Sequence, residues 1–176
     1  MNSRRLYLVQ LVMPLIPATR CFALKRAMLR WCGAKIARNV RIVSSARFYV
    51  GGDLTIGEGT WIGHEVLIVG GNATVLIGAQ CDIAPRVTIA TGSHEVCLDG
   101  EKIAGDGYSA AVKVGDGCWI CTASTILGGS ELGCCCIVAA GAVVKGSFPS
   151  RKLVGGVPAV TLRDLTKSAV TMAPKA

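Results

Sequence analysis

Two histidines and nine cysteines are the side chains of this 176-residue chain best suited to proton transfer, nucleophilic attack or metal binding. His94 closes the stretch IATGSHEV, just before a polar run over 95–111. A neutral imidazole there can accept a proton, because histidine titrates near physiological pH. Glu95 or another carboxylate could orient the ring; as a bare residue, His94 serves equally as an ordinary surface histidine. His64, in WIGHEVL, is the other imidazole. The cysteines show no paired CxxC units of zinc-site spacing, so no metal is expected, and their odd number suits free thiols in a reducing cytoplasm. Three stand together as Cys134-Cys135-Cys136. Whether they are a metal site, a redox switch or packing depends on what surrounds them.

What surrounds them is periodic. Val114, Ile120, Ile126, Leu132, Val138 and Val144 fall six residues apart. The same step links Ile36, Ile42 and Phe48, then Ile56, Ile62 and Ile68, then Ile77, Ile83 and Ile89. Four places after these markers stands a small or β-branched residue, as at Val40, Thr60, Cys81, Ser93, Cys118, Ser124, Ser130 and Cys136. This hexapeptide repeat implies an all-β fold, a parallel β-helix. The aliphatic marker fills the interior, and the small residue fits a crowded corner. Steps longer than six run from Phe48 to Ile56, Ile68 to Ile77 and Ile89 to Val114, each after a third marker. Three hexapeptides therefore make one coil, and all three insertions leave from one corner of a triangular column. About five coils at strand spacing give a column roughly 24 Å tall. Cys136 falls in the small slot with Cys81 and Cys118, where a buried cysteine acts as a small hydrophobe. Cys134 and Cys135 fall at the turn.

The elements at either end follow from the same pattern. Residues 1–35 form a basic helical segment, 36–148 the repeat with its inserted loop 95–111, and 149–176 a return segment and tail. The clock is expected to stop at Phe148-Pro149, with VGGVPAVTLRDL running back along the column and 166–176 as a loose tail. Residues 21–32 read as an amphipathic helix with Cys21, Leu24, Met28, Trp31 and Cys32 on one face and Arg26 and Arg30 opposite. Such a helix would cap the open end of the column, whose strand edges are unpaired. Alternatively, residues 1–35 make peripheral membrane contact, with LYLVQLVMPLIP dipping into the interface. The apolar run Leu6–Ile16 is too short to span a bilayer, and no secretory cleavage site follows it.

Half of the residues are apolar but only 5% are aromatic, so the core is built from Ile, Val and Ala. The net charge of +8 is concentrated at the front: residues 1–41 hold nine Lys or Arg and no acid. That field suits phosphates or an anionic surface, or simply a solvated basic helix face.

The repeat, TGSH at 91–94 and the run VGDGCWICTASTILGGSELGCCCIVAAGAVV, followed by GGVPAVTLR, resemble the hexapeptide-repeat acetyltransferases over residues 34–165. The nearest groups are the maltose/galactoside type and the exopolysaccharide or O-antigen O-acetyltransferases. This resemblance implies a left-handed β-helix, against the usual right-handed crossover, and a cytoplasmic homotrimer with intersubunit sites. Acetyl-CoA would be the acetyl donor, lying between neighbouring columns. The acceptor would be a hydroxyl of a small or lipid-linked saccharide; no nucleic acid is involved. His94 falls on the family's general base, a role worth about 10²–10⁴ in rate, with backbone N–H groups holding the oxyanion. Trp119 falls beside the acyl or acceptor pocket, and Thr122 and Ala140 fall where the backbone meets pantetheine. Arg163 falls near the nucleotide phosphates. His64 or Glu65 would help hold the acceptor.

The chain departs from the family pattern in three places. Cys121 follows Trp119-Ile120 where glycine is usual. Lys145 stands one place early, so phosphate contacts would come from Lys145, Arg151, Lys152 and Arg163. Gly156-Val157-Pro158-Ala159-Val160 lacks its basic residue. Two other readings compete: an amino-sugar N-acetyltransferase and a non-catalytic β-helix scaffold. A zinc-dependent carbonic anhydrase of similar fold needs three histidines, and this chain has two.

Overall fold

A computed structural model describes residues 1–166. The tail expected over 166–176 lies, from residue 167 onward, outside the described residues. The chain opens with α1 (Ser3–Val12), a 3₁₀ turn (Met13–Leu15) and α2 (Phe22–Trp31). The column then winds through β1 (Lys35–Ile36), β2 (Arg41–Ile42) and β3 (Arg47–Val50), and next β4 (Leu54–Ile56), β5 (Trp61–Ile62) and β6 (Leu67–Gly70). The third coil is β7 (Val75–Ile77), β8 (Asp82–Ile83) and β9 (Thr88–Ala90). A hairpin, β10 (Gly92–Val96) and β11 (Ala104–Ser109), interrupts the winding. Winding resumes with β12 (Val112–Val114), β13 (Trp119–Ile120) and β14 (Thr125–Leu127), then β15 (Glu131–Leu132), β16 (Ile137–Val138) and β17 (Val143–Val144). A last partial coil has β18 (Ser147–Phe148) and β19 (Lys152–Gly156), and β20 (Ala159–Asp164) is the last strand of the described residues.

Three parallel sheets form the sides: β1-β4-β7-β12-β15-β18, β2-β5-β8-β13-β16-β19 with β20 at its end, and β3-β6-β9-β14-β17. There are five complete coils and two strands of a sixth. Every hexad marker from Ile36 to Val144 is buried, each stacked on its counterpart one coil away, as in Ile62↔Ile83 and Ile83↔Ile120. The three insertions all leave at the corner between the third and first sides, as the counting requires. At the other two corners the residue before the small slot takes positive φ in coil after coil: Asn39, Gly59, Gln80, Gly117 and Cys135 at one, and Glu65, Arg86, Ala123 and Gly141 at the next. Left-handed backbone costs a non-glycine residue about 1–2 kcal/mol, so stacking must hold these turns in place.

Three expectations need correction. Ser93 is exposed on β10, because the chain leaves the column at buried Thr91 and the small slot is never formed. The clock does not stop at Phe148: Phe148 stacks on Leu132 and buried Val154 on Val138. The step from Val144 to Phe148 is four residues rather than six, because the third corner shortens there. The return segment does not run along the column either. β20 lies antiparallel to β19 across the end of the second sheet, and the Lys152 ammonium pairs with Asp164 at 2.7 Å.

The face of α2 is also different. Leu24 and Trp31 are exposed, whereas Lys25, Leu29 and Cys32 are buried. The first coil presents a row of carbonyls with no coil beneath it, and cations satisfy them. Lys25 Nζ donates to the carbonyls of Pro17, Ala18 and Ile42 at 3.0, 2.7 and 3.1 Å. Arg26 reaches Val40 O at 2.9 Å, and Arg30 reaches the carbonyls of Ile36 and Ala37 at 2.8 and 3.1 Å. Gln10 donates to Phe48 O, and the N-terminal ammonium to Gly51 O. Burial pushes the Lys25 ammonium below the ordinary lysine range, with the nearby Cys21 thiol opposing the shift. Part of the basic segment is therefore a plug for an open sheet edge.

Candidate active site

The loop expected at 95–111 is a β-hairpin arm, and His94 stands on its first strand, exposed and opposite Gly107. Between the pairs His94↔Gly107 and Val96↔Ala104, Gly105 and Asp106 face the single residue Glu95. Such a bulge turns a backbone group out of the ladder. The Gly105 carbonyl lies 2.9 Å from His94 Nδ1. A carbonyl can only accept, so Nδ1 carries the proton and Nε2 is left with its lone pair free. The side chain is thus fixed in the tautomer a general base needs. The orienting partner is this carbonyl and not the Glu95 carboxylate: neighbouring residues of a strand point to opposite faces. The position is tight: a Cβ at Gly105 would come within 3.1 Å of Cys97 Cβ and 3.2 Å of Glu95 O, so those neighbours would have to give by a few tenths of an ångström.

At the second corner, His64, Pro85, Thr122 and Ala140 occupy equivalent places in successive coils, with Glu65, Arg86, Ala123 and Gly141 beside them. The N–H groups of Arg86, Ala123 and Gly141 donate to the coil below, to the carbonyls of His64, Pro85 and Thr122 at 2.8, 3.1 and 3.0 Å. Thr122 Oγ1 also donates to Pro85 O at 2.7 Å. The N–H groups of Thr122 and Ala140 donate to no protein acceptor among the described residues, and both residues are exposed. They are one coil apart, about 4.8 Å, and make a vertical pair of open donors. Gly63 follows β5 and donates to Ile83 O, while His64 is the exposed turn residue in register with Thr122. His64 Nδ1 is 3.5 Å from Ser45 Oγ, and Glu65 is drawn to Arg86 at 3.1 Å. A shallow groove of about 400 Å³ beside it is lined by Pro14, Leu15, Ile16, Pro17, Ser44 and Ser45.

The remaining residues are spread along the column. Trp119 is exposed on the second side, between Asp82 and Ile137. Arg163 lies on the same side, paired with Leu153, three strand spacings beyond Trp119, about 14 Å. Lys145 is exposed at the third corner, two coils beyond the hairpin that carries His94. Lys152 is committed to Asp164, whereas Arg151 is exposed. Burial pushes the Cys121 thiol up, which disfavours a reactive thiolate there. The cysteine question resolves into packing. Cys81, Cys118 and Cys136 are buried in one column, each S–H donating at 3.1 Å to a carbonyl of the next coil, at Gly115, Gly133 and Pro149. Cys134 and Cys135 are exposed turn residues, and no group of three metal-binding side chains exists among the described residues.

One chain therefore does not bring its nominated residues together. The His94 hairpin and the Thr122 corner lie at opposite ends of the third side, about six strand residues or 20 Å apart. Of the features around them, neither the Gly105 carbonyl nor the bulge was legible beforehand; the glycines at 105 and 107 were their sole sequence trace.

A repeat-built column carrying an oriented imidazole on an arm and a pair of open amides has the parts to move a proton and to hold an extended ligand by its carbonyls. Comparison narrows this further. The chain is 32% identical over 138 residues to WcaF of Escherichia coli K12, provisionally named a colanic acid biosynthesis acetyltransferase, covering 78% of this chain and 72% of that one. It is 26% identical over 141 residues to the galactoside O-acetyltransferase of the same organism, covering 80% and 68%. Its structure matches a hexapeptide-repeat acetyltransferase of Vibrio cholerae, solved with acetyl coenzyme A, at a TM-score of 0.69 and 25% identity, covering 93% and 86%. No protein-family profile matches. The chain belongs to the hexapeptide-repeat acetyltransferases, and its column is their left-handed β-helix.

Proposed function

We propose that this protein transfers an acetyl group from acetyl-CoA to a hydroxyl of a sugar or saccharide intermediate in surface-polysaccharide synthesis. The observation that carries the reading is the His94 imidazole, fixed by the Gly105 carbonyl with Nε2 free. Nε2 takes the proton of the acceptor hydroxyl, whose oxygen attacks the thioester carbonyl; coenzyme A leaves as the thiol when the tetrahedral intermediate collapses. The open N–H groups of Thr122 and Ala140 suit the amide carbonyls of an extended pantetheine arm. Trp119 provides apolar surface beside the acyl group, and His64 and Glu65 are the polar groups offered to an acceptor; Glu95, on the opposite face of β10 from His94, is not among them. Lys145, Arg151 and Arg163 are the cations offered to the nucleotide phosphates.

Because His94 and the Thr122 corner are a full side apart in one column, the reading requires a neighbouring copy to join them. A homotrimer of columns, each lending its hairpin to the next, meets that requirement. Nine free thiols fit a reducing cytoplasm. Among the described residues no helix is long and apolar enough to cross a membrane.

Calorimetric titration of acetyl-CoA tests the donor, with saturation near one site per chain expected. A sugar panel read by mass spectrometry then tests the acceptor. Absence of donor binding by a folded protein would overturn the reading in favour of a scaffold, and acetylation confined to amino groups would favour an N-acetyltransferase.

A further inference from the structure

The outer face of the N-terminal helix is as apolar as its inner one. Leu6, Val9 and Met13 are buried against the column, yet Tyr7, Leu8, Leu11, Val12 and Leu15 stand at the same helical spacing on the opposite side, and Leu15 is 83% exposed. Apolar side chains thus line both faces of this helix and the turn after it, interrupted by Arg4, Arg5 and Gln10, and only the inner face is covered. The surface around it is predominantly cationic, with exposed Asp53 and Glu58 as the acids at this end of the column. Arg4, Arg5 and Arg20 are exposed beside it, Lys35, Arg38 and Arg41 are exposed on the first coil, and no carboxylate precedes Asp53 in the chain. The ion pairs of the described residues, Arg86–Glu65, Lys113–Glu131 and Lys152–Asp164, all lie elsewhere. Lys25, Arg26 and Arg30 spend their hydrogen bonds on carbonyls, which leaves their charge uncancelled.

We infer that this end of the column docks on an anionic lipid bilayer, with Tyr7, Leu8, Leu11, Val12 and Leu15 entering the interface and the surrounding arginines meeting the headgroups. Charge decides the occupant. A second copy seated on the same face by a two-fold axis would bring two uncompensated cationic ends together, whereas an anionic leaflet attracts them and accepts the apolar stripe as well. The helix, at ten residues, lies on the surface rather than crossing it. Leu15 also lines the groove that ends at Ser45, beside His64. Docking would therefore open that groove toward the lipid. The inference stands independently of acetyl transfer, since it concerns the end of the column and not the His94 arm.

Vesicle flotation of the full chain tests it, with phosphatidylcholine alone against phosphatidylcholine mixed with phosphatidylglycerol. Wild type should float with the anionic vesicles and remain behind with the neutral ones, and rising salt should release it. Leu8→Glu combined with Leu11→Glu should lower partitioning by roughly a hundredfold or more while leaving mass and melting temperature unchanged. Arg4→Gln with Arg20→Gln should lower it roughly tenfold or more. In a Leu15→Trp protein, the added fluorescence should be quenched by brominated lipid. Failure of wild type to bind anionic vesicles would overturn the inference. So would flotation without quenching at position 15, which would put the contact elsewhere. A fall in oligomeric mass on Leu8→Glu with Leu11→Glu would assign the face to a second copy instead.

Discussion

Replacing His94 by alanine removes the candidate base and very little else. The ring is exposed, and its one protein hydrogen bond is the 2.9 Å contact to Gly105 O. Losing it costs the arm about 0.5–1.5 kcal/mol, and the column, which His94 does not enter, should melt as before. The chemical step should suffer far more. A positioned base contributes about 10²–10⁴ in rate, equivalent to about 2.7–5.4 kcal/mol of transition-state stabilisation. His94→Asn separates proton transfer from positioning: its amide can still donate to Gly105 O but cannot take a proton, so its kcat should fall as far as alanine's. Gly105→Ala leaves the imidazole in place and disturbs the carbonyl, through the 3.1 and 3.2 Å approaches a Cβ would make to Cys97 and Glu95. A smaller loss, about tenfold, is expected, scaled to one hydrogen bond. The assay is acetyl product by mass spectrometry, with acetyl-CoA affinity by calorimetry beside it; a thiol reagent would read the protein's own cysteines. A His94→Ala enzyme within tenfold of wild-type kcat would refute the base assignment. An active His94→Asn enzyme would reduce the ring to a positioning role.

Three further outcomes are expected. Lys25→Met leaves the Ile42 carbonyl without its donor, at a cost of about 1–3 kcal/mol for a buried unpaired group, whereas Pro17 O keeps Arg20 N–H and Ser44 Oγ and Ala18 O keeps Ser44 N–H. Relief of the buried ammonium offsets part of this, so a net loss of about 1–2 kcal/mol should appear in urea melts. Alkylation of the native protein should label Cys21, Cys134 and Cys135 first and spare Cys81, Cys118 and Cys136, read by peptide mass spectrometry; rapid labelling of Cys136 would contradict its packing role. The Lys152 ammonium and the Thr166 hydroxyl and amide hold the Asp164 carboxyl well below the usual carboxylate range. A depressed acid stabilises the fold above its unfolded value and loses that contribution as pH falls toward the folded one. Protection of the β19–β20 amides in hydrogen exchange should therefore decline on acidification below the ordinary carboxylate range, and Asp164→Asn should flatten that decline.

Much of the fold was legible because one residue type at one spacing dictates it. Ile62, Ile83 and Ile120 can share an interior only if coils stack, and three long steps after third markers can only leave one corner. Legibility failed where hydrogen bonding outweighed hydropathy. α2 turns Lys25 inward and Leu24 outward because the first coil's bare carbonyls need donors more than that surface needs another leucine. The hairpin was invisible for a related reason. It has no buried face, so Gly92–Val96 and Ala104–Ser109 carry no alternation to read. The clock lost Phe148 and Val154 because a corner shortened. His94 could be nominated from the chain, and Trp119 and Thr122 from the family resemblance, but the Gly105 carbonyl could not, since any residue supplies one and only the bulge aims it.

The contrast between the corners bears on how such an enzyme can change. Two edges of the column are locked, coil on coil, by left-handed turn residues whose own amides, such as those of Arg86, Ala123 and Gly141, are bonded to the coil below. The third tolerates spacers as short as Lys145-Gly146 and as long as the whole arm. Variation in length is thus channelled to a single seam, the one from which His94 projects. Segments along that seam, over 50–53, 70–74 or 91–111, can be exchanged while the Thr122 edge is inherited unaltered. A transplanted hairpin at 70–74 would test that modularity directly: the barrel of stacked isoleucines should not notice it.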